Sequence, residues 1–253
     1  MRQELGRWAD RVGARKTLAL GRDRLVDLLN GDHSSQDARR NRKDDFHLKL
    51  LLRFGLRPRS NCLEVGANQG IFLRDMQRVA PAGHHIAYEP IPGLCDELAR
   101  QFPTIEVRQR ALSNHDGVSQ FVHVLDPGFQ GLSGLLDHRL SSGDPSGART
   151  EVIEVSTERL DGHVPDGWLP DFVKIDVEGA ELLVLEGAVG TLRRARPIVA
   201  FEHGLGAGTS EEVYKVLCQD VGLRLFDMDG NGPFDLPRFL DALSSRWNWV
   251  AHE

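Results

Sequence analysis

From Asn61 to the C-terminus, short apolar runs alternate with helical stretches, and this alternation limits the fold more than any other feature. Cys62–Val65, His85–Glu89, Ile105–Val107, Phe172–Asp176, Pro197–Phe201, Leu223–Phe226 and Trp247–Val250 read as strands. Ile71–Val79, the stretch from Pro90 and Pro92 to Arg100, Ala180–Leu192 and Ser210–Cys218 read as the helices between them. A strand–helix–strand rhythm of this kind predicts an α/β fold with a doubly wound, mostly parallel sheet. Two further strand-like stretches, 118–125 and 151–157, are separated by a Gly- and Ser-rich segment, Asp126–Gly147. Its length and composition read as an inserted, lid-like loop over a small-molecule acceptor.

Residues 1–60 read differently. Leu18, Leu20, Leu25, Leu28 and Leu29 recur at helical spacing, and Phe46, Leu50 and Phe54 mark a second amphipathic helix. The polar stretch 31–45 between them reads as a loop. Residues 1–60 are therefore expected to form an N-terminal helical extension or cap on a domain of residues 61–253. Charge divides at the same place: residues 1–60 carry 15 Lys and Arg against 8 Asp and Glu, and residues 61–253 carry 16 against 29. The acidic body argues against a general nucleic-acid binder, while the basic arm, Arg39–Lys43, keeps a nucleic-acid methyltransferase as an alternative. No apolar run approaches the length needed to cross a bilayer. The Arg-rich N-terminus lacks the apolar core of a signal peptide. Cys62, Cys95 and Cys218 are too scattered for a disulfide framework or a CxxC metal site. A reduced, cytoplasmic protein with no membrane association is the expectation.

Four stretches carry chemistry. Glu64–Gly70 lies between a strand and a helix and has the pattern acidic-x-Gly-x-x-x-Gly. Glycines here allow a sharp turn and close approach of a ligand. Asn68 stands where a dinucleotide fingerprint would have its second glycine, which disfavours the alternative of an NAD(P)-binding oxidoreductase. Glu89 ends the next strand, 19 residues after Gly70, where a carboxylate can accept both hydroxyls of a ribose. Asp176, Glu178 and Glu181 cluster after the Phe172 strand, at the edge where open parallel sheets bind ligands; Glu178 and Glu181 also suit the first turn of a helix on dipole grounds alone. Glu202 and His203 end a further strand at that edge.

Together these stretches resemble the FkbM family of S-adenosylmethionine (SAM)-dependent methyltransferases. The matching segments are EVGANQG, AYEPIP, RQRALSNHDG, FVKIDVEGAELLVLEGA and RPIVAFEHG, within residues 61–253. Glu64 departs from the pattern, in which Asp is more usual, and Asp126–Gly147 matches weakly. The resemblance implies a Rossmann-like class I methyltransferase with a seven-stranded sheet. It places Glu64, Gly66, Asn68 and Gly70 on the methionine side of the cofactor, Glu89 at the ribose, Ala111, Leu112 and Ser113 beside the adenine, and Asp176 facing the transferred methyl group. It further implies O-methylation of a hydroxyl on a sugar or polyhydroxylated natural product.

An alcohol needs a base, a metal, or both to react at neutral pH. His203, with an ordinary pKa near neutrality, is the preferred base, alongside Asp176 and Glu202; the rival reading of His203 is a helix-capping or merely exposed side chain. Asp176 and Glu202 are expected on neighbouring strands, with Asp227 and Asp229 after the next. Asp176, Glu202 and Asp229 could then hold Mg²⁺ through oxygen ligands, or one of these acids could orient the hydroxyl without metal. A C-terminal strand with Trp247 and Trp249 exposed would suit a homodimer.

Overall fold

The computed structural model describes residues 34–126, 132–136, 149–204 and 209–253. The chain divides into two units, residues 1–45 and 46–253. In chain order the elements are α1 (Ser34–Gly55), β1 (Cys62–Val65), α2 (Ile71–Val79), β2 (Ile86–Tyr88), α3 (Pro92–Gln101), β3 (Glu106–Arg108), β4 (Ala111–Leu112), β5 (Gly117–Val124), β6 (Gly134–Leu135), β7 (Thr150–Glu158), β8 (Phe172–Ile175), α4 (Glu181–Glu186), α5 (Val189–Ala195), β9 (Ile198–Glu202), α6 (Ser210–Tyr214, running into a π-helical turn at Lys215–Asp220), β10 (Arg224–Asp227), α7 (Leu236–Ala242) and β11 (Asn248–His252).

The expected seven-stranded sheet is present, in the order β10-β11-β9-β8-β1-β2-β3. Every pairing is parallel except the two made by β11, which runs antiparallel to β9 and β10. Strand alternation assigns the two faces. Leu63, Val65, Val173, Ile175, Val199 and Phe201 pack on one face with α4 and α5 residues such as Val184 and Leu192. Cys62, Ala87, Phe172 and Ala200 pack on the other with Leu48 and Leu52 of α1, Leu73 and Met76 of α2, and Leu98 of α3. The sheet is thereby doubly wound, and residues 46–55 belong to its helical coat.

Three expectations are revised: the loop at 31–45, the single helix over Ala180–Leu192 and the exposed C-terminal strand. The loop expected at 31–45 is helical from Ser34 onward, because no Gly or Pro interrupts residues 34–54 and Gln, Ala, Arg and Lys favour a helix. The helix expected over Leu18–Leu29 lies outside the described residues. The stretches near 118–125 and 151–157 are not in the main sheet: β5 and β7 pair antiparallel over eight residue pairs and join a second sheet, ordered β4-β7-β5-β6. The single helix expected over Ala180–Leu192 is two helices. A Cβ on Gly187 would lie 1.9 Å from the Ser113 carbonyl oxygen, and α5 starts afresh where Asp161 accepts from the amides of Gly190 and Thr191 at 2.7 and 2.6 Å. Finally, the C-terminal strand is no exposed edge. It lies between β9 and β10, and Trp249 is fully buried against Phe234 and Phe239, while Trp247 just before it is half-buried. Among the described residues no helix is long and apolar enough to cross a membrane.

Candidate active site

The turn after β1 is built by close approach. Gly66 has φ +79°, and a Cβ there would lie 1.9 Å from the Asp176 carbonyl oxygen. Only glycine lets the loops after β1 and β8 touch in this way. The amides of Gly66 and Ala67 donate to the Tyr88 carbonyl at 3.0 and 3.1 Å, which ties the turn to the end of β2. Asn68, at φ +47°, then presents its own amide to Glu89. Glu89 Oε2 accepts from Asn68 N at 2.8 Å, and Oε1 accepts from Ile91 N at 3.0 Å. Burial raises the Glu89 carboxyl above its ordinary range, and these two amides pull it back toward the ionised form. The Asn68 side-chain oxygen is buried without a partner.

This cradle opens on a cleft of about 810 Å³, part of it open to solvent. Gly66, Asn68 and Glu89 form one wall, Ala111 and Leu112 another, and Asp176, Glu178 and Glu202 the rim beyond β8 and β9. Phe121 of β5 and Leu135 of β6 close it from the second sheet. Leu135 and Ser133 thus bring part of the inserted 126–147 segment to the cleft wall; most of that segment lies outside the described residues.

Strand register gathers the charges. Lys174 stands opposite Glu64 on β1 and opposite Ala200 on β9. With a period of two, Glu64, Lys174 and Glu202 then project from the same face of three adjacent strands. Lys174 is 7% exposed. Its Nζ donates to Asp176 Oδ2 at 2.9 Å and lies 5.0 Å from the Phe72 ring centre. Burial alone would lower its pKa, but Asp176, Glu64 and Glu202 outweigh that and raise it. Burial pushes Glu64 up to about 8 against the pull of Lys174, and one of its oxygens has no partner. Glu202 is also pushed up to about 8, first by burial and then by the charges of Asp176 and Glu178. The Glu202 carboxylate, drawn down only in part by the charge of Lys174, lines both the cleft and a small adjoining cavity shared with Met228, Asn248 and Trp249.

Of the residues expected at a cofactor, Gly66, Asn68, Glu89, Ala111, Leu112 and Asp176 line one cleft. Glu64, Gly70 and Ser113 support it from behind. Glu64 lies under the turn, Gly70 abuts Phe102 and Leu98, and Ser113 is fully buried, with its hydroxyl on His115 at 3.2 Å. Glu178 is on the cleft wall, whereas Glu181 is buried and accepts from the Gly179 amide at 3.0 Å, a local structural role.

Two expectations fail on geometry. His203 follows Glu202 by one residue, so it points to the opposite, core-packed face. Its ring is buried, stacks on Phe239 and bonds Ser210 Oγ through Nε2 at 2.9 Å, and it does not line the cleft. It is not placed to take a proton from an acceptor there. The set Asp176, Glu202 and Asp229 is not assembled either. Strand β11 intervenes between β9 and β10, and Asp229 lies 3.4 Å from His47 of α1, in a different groove. Asp227 is buried and held by Asn231 and Arg246. Among the described residues no three His, Cys, Asp or Glu side chains are grouped so as to hold a metal ion.

Lys174 is a buried charge at the site to which the motifs assign no role. Its signal was present: a lysine inside the apolar run Phe172–Ile175, two residues before an aspartate, is rarely buried unless paired. Phe121 and Leu135 carried no comparable signal, because only the docking of the second sheet brings them to the cleft.

Comparison with known proteins agrees with this geometry. The model of the methyltransferase FkbM domain matches residues 64–225, well over half of the chain. A segment of the AMB antimetabolite synthetase AmbE of Pseudomonas aeruginosa is 26% identical over 243 residues, covering 78% of this chain and 11% of that protein. The methyltransferase sdnD of Sordaria araneosa is 29% identical over 154 residues, covering 49% of this chain and 59% of that protein. The chain therefore spans about a tenth and about three fifths of these two curated relatives. The crystal structure of methyltransferase FkbM from Methylobacillus flagellatus KT shares the fold at 15% identity with a TM-score of 0.50, covering 78% of this chain and 44% of that one. The chain belongs to the FkbM family of SAM-dependent methyltransferases.

Proposed function

We propose that the protein transfers a methyl group from SAM to a hydroxyl of a sugar or polyhydroxylated natural product. The observation that carries this reading is the pairing of a nucleoside cradle with the Glu202 carboxylate across one cleft. Glu89 and the orphaned Asn68 oxygen offer acceptors suited to ribose and amino groups, and the residues present fit the cofactor. When bound, SAM supplies a methyl group activated by a sulfonium.

The chain's own residues supply alignment and proton handling. Glu89 would accept the ribose hydroxyls, Ala111 and Leu112 would flank the adenine, and Asp176 would face the sulfur. Glu202 would take the acceptor's hydroxyl proton: it lines the cleft, and its pKa of about 8 is close to that of an efficient base at neutral pH. Asp229 lies apart from Asp176 and Glu202, so the proton of the acceptor would pass to Glu202 directly. The described part of the 126–147 segment, Ser133 and Leu135, would contact the acceptor or the cofactor from above. The match to part of an antimetabolite synthetase supports a natural-product acceptor. The three cysteines are free, in keeping with a cytoplasmic setting.

Product mass spectrometry with isotopically labelled SAM and a panel of sugars and polyols tests the reading. A labelled methyl ether is the expected product. SAM binding with no transfer to any hydroxyl, or transfer to nitrogen, overturns it.

A further inference from the structure

Among the described residues, the acidic rim of the cleft has one buried cation, Lys174. Lys174 belongs to β8, yet its ammonium lies beneath the cleft, bonded to Asp176 Oδ2 at 2.9 Å and capped by the Phe72 ring. Glu64 stands directly across from it on β1, and Glu202 lies on the same face of β9. Asp176 is about a third exposed and reaches into the cleft, while Lys174 itself is almost wholly buried. A buried lysine is costly unless paired. Packing alone would be served as well by Met or Leu, so the charge at this position calls for a reason beyond packing.

We infer that Lys174 is a positioning residue for methyl transfer, a buried charge that holds the Asp176 carboxylate toward the cleft and limits how strongly the acidic rim favours the positively charged methyl donor over the neutral product. The inference rests on reading Asp176 as the group that faces the donor's sulfur. In the transfer, the acceptor oxygen forms a bond to the methyl carbon, and the carbon–sulfur bond breaks with its electron pair left on sulfur. The acceptor's proton goes to Glu202. The sulfur therefore changes from cationic to neutral. Carboxylates beside it stabilise the starting state more than the transition state, in which the positive charge is already dispersed. Binding that is stronger in the ground state slows the chemical step. A fixed cation behind Asp176 offsets this excess field and keeps its carboxylate in one orientation.

Calorimetric dissociation constants for SAM and S-adenosylhomocysteine, measured on wild type, Lys174→Gln, Lys174→Met and Asp176→Asn, test this. Removing the lysine charge is expected to shift the affinity ratio at least about five-fold toward SAM, while kcat falls roughly ten-fold or more. Lys174→Gln keeps a hydrogen-bond donor and Lys174→Met keeps the volume, so a shift common to both reports charge. Asp176→Asn, at a partly exposed position, removes the carboxylate bonded to Lys174, leaves only Glu64 and Glu202 beside it, and moves the ratio the other way. An unchanged ratio in the lysine variants, or in Asp176→Asn should the lysine variants not fold, overturns the inference. A ratio displaced toward S-adenosylhomocysteine on loss of Lys174 also overturns it. Failure of wild type to bind either compound instead removes the underlying reading of the cleft.

Discussion

The amide of Asn68 is bonded to Glu89 Oε2 at 2.8 Å, across 21 residues of sequence. This single contact joins the turn after β1 to the acid that ends β2. Glu89 is oriented by two backbone amides, those of Asn68 and Ile91.

Glu89→Ala should raise the SAM dissociation constant by roughly 10- to 100-fold, in line with about 1.5–3 kcal/mol for hydrogen bonds to a charged group. Glu89→Gln should lose less, since an amide oxygen can still accept from one backbone donor. Calorimetry on the three proteins checks this; equal affinity in wild type and Glu89→Ala would exclude Glu89 from the ribose site.

A base with a raised pKa works only when deprotonated. With the Glu202 carboxyl near 8 in the free protein, kcat/KM should rise with pH from about 6 and level off above about 8. Glu202→Gln should flatten that limb and lower kcat by roughly 10²- to 10⁴-fold. Its SAM affinity should change little. A variant that retains the same pH limb would show that another group takes the proton.

His203 packs into the core and does not line the cleft. Its buried ring lies on Phe239 and bonds Ser210. His203→Gln should therefore keep wild-type turnover within about three-fold, yet lose about 1–3 kcal/mol of stability through the disturbed buried hydrogen bond. Thermal unfolding reads this as a drop of roughly 2–4 °C per kcal/mol for a domain of this size. A large loss of kcat at unchanged Tm would restore His203 to the chemistry.

Gly66→Ala combines a left-handed backbone with a Cβ 1.9 Å from the Asp176 carbonyl oxygen. The loops after β1 and β8 must part to admit it. We expect a stability loss of about 2–4 kcal/mol and SAM binding too weak for calorimetry. Denaturant unfolding together with a binding titration provides the check, and an alanine variant of wild-type stability would mean that the two loops have room to move.

Much of the fold is legible in the chain because apolar runs, helical stretches and turn residues alternate from Asn61 onward. The strands of the main sheet lie within a residue or two of where their apolar runs put them. The cradle was legible for the same reason: a glycine turn after one strand and an acid ending the next are local features that the βα rhythm brings to one edge. Helix α7 lies outside the βα rhythm, and its only local marks are Asp235 as N-cap and Pro237 in the first turn. The break at Gly187 was not legible, since it depends on contact with Ser113, 74 residues earlier.

The sequence by itself determined the alternating architecture, the turn at Gly66–Gly70 and the edge at which Glu89, Asp176 and Glu202 gather. Tertiary structure decided which titratable side chains at that edge share a cavity. Adjacent residues of a strand point to opposite faces, so Glu202 meets the cleft while His203, one position on, joins the core. Strand order, which local pattern does not encode, placed the last strand between β9 and β10 and set Asp229 beside His47 instead of Asp176. Register across β1, β8 and β9 brought Lys174 in among the carboxylates, because parallel neighbours at the same level present their side chains to the same face.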